Sequence, residues 1–354
     1  MKRVIRYLTG FALTAGLLAA LLASGIQPLQ PASTAPKEQL SAYGFFSGNI
    51  ANQVPAAGIM PYQLNTPLFS DYAEKLRFIQ LPADSVITYD STQVMHFPVG
   101  TTIIKTFYYP EDFRHPEKGR RLMETRLLQH FPQGWKALVY IWNDAQTDAF
   151  LEVAGDRKPV QFTDHSGHTV SFDYVIPNLN QCKGCHNTNE VMTPIGPTAR
   201  QLNGDFNYIG GRENQLQHWV KAGILHGLDN ASRAPRAPVW NDPQTGTVAE
   251  RARIWLEINC AHCHKPEGPA RTSGLFLDIY ENDPTKTGIN KTPVAAGRGA
   301  ADLQFDIVPG HPEKSILVYR MASTDPGIMM PELGRKLTHK EGLELVKEWI
   351  REMK

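Results

Sequence analysis

Cysteine is scarce in this chain: its 354 residues hold four. That excludes a secreted scaffold held together by many disulfides. An excess of charge of one sign is also missing, since 36 Lys and Arg stand against 35 Asp and Glu for a formal net charge of +1. Without a bulk field there is no general grip on nucleic acid or an anionic membrane. No Ser/His/Asp arrangement or phosphate-cradling glycine pattern has supporting context, and Glu111, Asp112, Asp144 and Asp148 lie in loop-like sequence where a solvated carboxylate is the default. Composition is otherwise that of a folded protein, 42% hydrophobic and 20% charged, with 26 prolines and 28 glycines that imply many loops.

The four cysteines fall in two copies of one pattern, Cys182-Lys-Gly-Cys185-His186 and Cys260-Ala-His-Cys263-His264. C-x-x-C-H is the spacing that attaches a c-type haem: two thiols reach the two vinyl groups of one porphyrin edge, and the next histidine comes under the iron. A redox dithiol needs no histidine after its second cysteine, and a zinc site asks for a second ligand pair at a fixed distance. The sequence therefore predicts two covalently attached haems, through Cys182 and Cys185 with His186 on iron, and through Cys260 and Cys263 with His264 on iron. No thiol is left over.

The amino terminus has the form of an export signal, with Lys2, Arg3 and Arg6 ahead of an apolar stretch from Leu8 to Leu22 and small residues at Ala23-Ser24-Gly25. Cleavage there would release the protein outside the cytoplasmic membrane, and an uncleaved segment would anchor it. A lipoprotein anchor is excluded, because no cysteine follows the apolar run. The predicted organisation is a signal peptide over 1–25, a Pro-rich linker over 26–44, a β-rich domain with the first haem motif over 45–243, and a cytochrome c domain with the second haem over 244–354. The fold class expected is α+β and multidomain, a β-rich N-terminal domain followed by an α-helical cytochrome c domain.

Along the chain, 40–78 supports no confident period and reads as a packed loop. Thr101–Tyr109, Leu122–His130, Trp135–Trp142 and Val170–Ile176 are short, β-branched or aromatic, and bounded by turn signals, so they predict antiparallel strands that deliver the chain to Cys182. Helices are expected over 214–222, over 248–258 leading into Cys260, and from a capping box at Thr338-His-Lys-Glu341 onward. Between the last two lies Met329-Met330-Pro331. A thioether sulfur is a soft iron ligand that favours the ferrous state, and Met330, next to a backbone-fixing proline, is the expected sixth ligand of the second haem; Met329 and Met321 are the alternatives.

Leu68-Phe-Ser-Asp-Tyr-Ala-Glu-Lys75, Cys182-Lys-Gly-Cys-His-Asn187, Arg251 through His264, Ile307-Val-Pro-Gly310 and Met329-Met-Pro-Glu-Leu-Gly334 resemble a family of exported bacterial two-haem c-type cytochromes of unknown function. In the second half, Ser273-Gly-Leu275, Val308-Pro-Gly310 and Met330-Pro331 are similar to planctomycete-type cytochrome c domains, which implies the methionine as distal ligand. Phe97-Pro-Val-Gly-Thr101 running to Lys105, followed by Gly134-Trp135, resembles the cytochrome P460 and c′-β group, whose haem can have an open face. The function these resemblances imply is haem binding and electron transfer among periplasmic redox partner proteins. An enzyme acting on a small molecule at an open first haem is the alternative, with Met192, His130, His165, His168 and His218 as the distal candidates to be placed.

Overall fold

The strands begin where β-branched and aromatic residues cluster between turn formers. The computed structural model describes residues 35–354; the expected signal segment 1–25 and the first part of the linker, 26–34, lie outside them. Among the described residues nine strands precede the Cys182–His186 motif: β1 (Ile59–Tyr62), β2 (Glu74–Gln80), β3 (Ile87–Thr88), β4 (Thr102–Pro110), β5 (Arg120–Phe131), β6 (Gly134–Trp142), β7 (Ala149–Leu151), β8 (Asp156–Thr163) and β9 (Thr169–Ile176). Six of them form one antiparallel sheet in the order β1-β2-β4-β5-β6-β7, and β8 and β9 make a separate hairpin. Gly134, at φ +108°, turns β5 into β6, a conformation that a side chain would strain.

β2 lies inside the stretch expected to be a loop, and its composition explains why it is hard to see. Glu74, Lys75, Leu76 and Arg77 are good helix formers, and the strand's alternation is masked because charged residues occupy a covered face. In register, Arg77 stands opposite Lys105 and Lys105 opposite Arg126. Around this charged row the face is apolar. Ile79, Ile103 and Leu128 pack with Leu216, Trp219 and Leu225 at one end, and Phe107 and Val139 pack with Phe162, Tyr174 and Ile176 at the other. The opposite face buries Phe78, Ile104, Leu127 and Leu138 under Leu40, Phe45 and Phe46.

The expected α-helical cytochrome c domain over 244–354 is not what forms. This stretch has three α-helices, Val248–Leu256, Ile316–Ala322 and Lys340–Glu352, of 9, 7 and 13 residues, and most of the rest is irregular. The cause is in the sequence between them: Pro266, Pro269, Pro284, Pro293, Pro309 and Pro326, interleaved with glycines, deny any helix the length to continue. The fold is thus β-rich, with helices added to a sheet, and Lys37–Lys354 group as one compact unit. The three helices still share a core, in which Ala252 and Trp255 meet Leu317 and Met321 and the inner face Leu343, Val346, Trp349 and Ile350.

The expected capping box at Thr338 is also corrected. His339 is the N-cap of Lys340–Glu352 and no side chain caps it. Thr338 Oγ1 donates to Ala322 O at 3.2 Å, and Glu341 accepts from the Tyr72 hydroxyl at 2.8 Å. Both residues are used for tertiary contacts instead.

Candidate functional site

The helix that carries Cys260 starts with a true capping box: the Thr247 hydroxyl accepts from Glu250 N, and the Glu250 carboxylate accepts from Thr247 N at 2.8 Å. It ends in a wider π-helical turn, Glu257–Ala261, which contains Cys260. His264 N then donates to Cys260 O at 2.9 Å, so the motif closes as one turn. A Cβ on Gly268 would sit 2.3 Å from Cys263 O, so only glycine lets the following loop return this close to the motif.

Cys260, Cys263 and His264 line a cavity of about 460 Å3 whose other walls include Leu275, Leu277, Ile316, Leu317 and Met321. Met330, 66 residues beyond His264 by subtraction of their numbers, lines the same cavity. Met321 lines it too, whereas Met329, at 4% exposure, is core packing outside the lining. The His264 Nδ1 lies 3.3 Å from Leu275 O, which leaves Nε2 as the metal-facing nitrogen. Burial pushes the ring's pKa down to about 4, so it is neutral at physiological pH, the form that binds iron. The donor set and the mainly apolar wall fit a haem.

What holds Met330 in place is a residue sequence reasoning passed over. Arg335, 6% exposed, donates through Nη2 to Met330 O and Ser323 O, each at 2.8 Å, and to Arg320 O at 3.2 Å. Asp71 secures the next two residues, its Oδ1 accepting from Lys336 N and Leu337 N at 2.7 Å each. Its neighbours extend the clasp: Phe69 N donates to Asn259 Oδ1 at 2.8 Å, and the Phe69 ring stacks on His339 at 4.3 Å. The segment 68–75 thus fastens both the Cys260 helix and the Met330 loop. A separation of 265 residues gave no local signal of this, though Asp71 and Tyr72, both at positive φ, mark a tight bend.

The first motif begins in the same way. Asn178 and Gln181 form a capping box on the helix Leu179–Cys185, which places Cys182 and Cys185 three residues apart on one side. Cys182, 6% exposed, packs among Met123, Tyr174 and Ile176. The His186 Nδ1 lies 3.0 Å from Thr193 O, and burial pushes this ring down to about 4 as well. Two thiols on one helical side and a neutral imidazole with a free Nε2 are the donor set a haem needs, although neither Cys182 nor His186 lines the 460 Å3 cavity.

The distal donors considered for this motif are otherwise engaged. Met192 packs against the sheet core, His130 stacks on Trp135 at 4.4 Å, His165 meets Phe113 edge-on, His168 pairs with Asp164, and His218 stacks on Tyr208 at 3.6 Å.

The two motifs meet. One ligand atom each from Cys185, His262 and Cys263 lie within 4.8 Å of one another, and Cys263 Sγ is 4.0 Å from Gly184 O. A hydrogen bond from Cys263, assisted by His262, lowers the Cys185 pKa against the opposing effect of burial. His262 Nδ1 is buried without a hydrogen-bond partner among the described residues. Asn189 N donates to Glu267 O at 2.8 Å, and Lys265 Nζ to Thr188 Oγ1 at 3.2 Å, so the loops after the motifs are tied as well.

No family model, curated protein or solved structure matches this chain.

Proposed function

We propose that the protein is an exported c-type cytochrome that binds two haems covalently, at Cys182/Cys185 and Cys260/Cys263, and passes single electrons between redox partner proteins in the periplasm. The observation that carries this reading is the cavity that gathers Cys260, Cys263, His264 and Met330 from separate stretches of chain. Cys260, Cys263, His264 and Met330 would hold a haem there, which would supply one-electron iron chemistry. The chain's contribution is to hold His264 neutral, to fix Met330 through Arg335, and to keep water from the apolar walls.

The contact of Cys185 with Cys263 supports a pair that works together, since each is the second cysteine of its motif. A zinc reading of Cys185, His262 and Cys263 is weaker: it leaves Cys182, Cys260, His186 and His264 without a role.

A second reading has support at the first motif, where the expected distal donors are committed to other partners. Iron on His186 would then keep one position for a small molecule, which makes the protein an oxidoreductase. Carbon monoxide added to the dithionite-reduced protein distinguishes the two. A carrier with two six-coordinate haems leaves the spectrum unchanged, and an accessible first iron shifts it for half of the haem. A protein with no reducible haem spectrum contradicts both.

A further inference from the structure

The charged row across the covered sheet face has no role in the site described so far. Lys105 Nζ lies 4.7 Å from the centre of the Phe107 ring, Arg126 Cζ 4.3 Å and Lys75 Nζ 6.0 Å, so three cations gather around one aromatic ring. Arg77 stands in register beside Lys105, is 7% exposed, and has its Nη2 without a hydrogen-bond partner among the described residues. The carboxylate within the row is Glu124, and it is taken. It accepts from Arg126 Nε at 2.8 Å and from the Tyr174 hydroxyl at 2.6 Å.

Four basic side chains share this face with one hydrogen-bonded carboxylate, Glu74 and Asp71 act on Lys75 without pairing with it, and Lys75, Arg77 and Lys105 have no ion-pair partner among the described residues. Like charges on facing strands destabilise each other, and a buried unpaired charge costs more still. Burial and Arg77 push the Lys75 ammonium down to about 7, and burial holds Lys105 well below its usual value. An anion set among the four would remove the repulsion. The row is also close to the first motif: Arg126 and Cys182 act electrostatically on each other, as do Lys105 and His186.

We propose that Lys75, Arg77, Lys105 and Arg126 form a half-buried site for a small oxyanion of the carboxylate class beside the Cys182–His186 motif. Two sources share that chemistry, the propionates of a haem held at Cys182 and Cys185, and a free oxyanion. The propionate source rests on the two-haem reading, and the free source does not.

The test uses the full chain after haem maturation, with Arg77→Gln, Lys105→Gln and the charge-keeping Lys105→Arg. Intact mass first counts the haems. If propionates fill the site, formate added in a calorimeter gives no binding heat, and Lys105→Gln lowers the potential of the first haem by about 59 mV, a tenfold shift of a one-electron equilibrium. The direction follows because a nearby cation disfavours ferric iron. Lys105→Arg stays at the wild-type potential, which a purely structural role of the lysine stem would not require. If a free oxyanion fills it, formate binds the wild type and Arg77→Gln weakens binding at least tenfold. Should Lys105→Gln fail to fold, Lys75→Gln is read in the same way. Unchanged potentials together with no formate binding overturn the site. A mass lacking the first haem sinks the haem reading alone; formate binding then still supports the anion site, and its absence overturns it.

Discussion

Cys182 and Cys260 each sit on a helix opened by a capping box, Asn178 with Gln181 in one case and Thr247 with Glu250 in the other, and each motif ends on a buried neutral histidine. Beyond that shared beginning their surroundings diverge. His264 lines a mainly apolar cavity of about 460 Å3 that Met330 lines as well. His186 lies against a sheet face where Lys75, Arg77, Lys105 and Arg126 outnumber Glu124. A C-x-x-C-H motif specifies attachment, and the residues around it decide what the iron does. Low polarity and a thioether suit an electron port, and fixed positive charge suits an anionic group close to the iron.

The largest effect that separates the two motifs is loss of one haem at a time. Cys260→Ala with Cys263→Ala removes the haem with the methionine signature, and Cys182→Ala with Cys185→Ala removes the other, each halving the haem absorbance per protein. Next comes the clamp on Met330. Arg335→Met leaves the carbonyls of Arg320, Ser323 and Met330 without their charged donor, so stability should fall by about 3 kcal/mol in a denaturant titration. The near-infrared sulfur-to-iron band should weaken in the same variant, and the first haem should not respond.

Met330→His keeps a ligand but changes its softness. It should shift the second haem's redox equilibrium at least tenfold toward ferric iron, about 59 mV on a potentiometric titration. If Met330→Ala retains the sulfur band, Met321, which lines the same cavity, takes its place as the ligand. Smallest are the caps. Asn178→Ala and Thr247→Ala should each cost about 1 kcal/mol, and similar losses in the two variants would show that the motifs share their entry and differ only in surroundings.

The parts legible in the sequence were those encoded locally. Thr102–Pro110, Arg120–Phe131 and Gly134–Trp142 form strands close to where their β-branched and aromatic content places them, and Asn214 and Gly223 bracket the helix Gln215–Lys221. What depended on distant partners was not legible. The charges of β2 look like helix surface until Lys105 and Arg126 are set beside them. Thr338 and Glu341 have the spacing of a capping box, but Ala322 and Tyr72 compete for them and win. Two amphipathic helices suggest an α-helical domain over 244–354, but the prolines between them break its helices short. The clasp of Asp71 on Lys336 and Leu337 has no local trace at all.

Denatured intact mass tests most directly whether both motifs carry haem. Protein matured with haem-attachment machinery should have the mass of its polypeptide plus two haems, falling to one in the Cys182→Ala, Cys185→Ala variant. A wild-type mass equal to the bare polypeptide, or to the polypeptide with a single haem, would contradict the account.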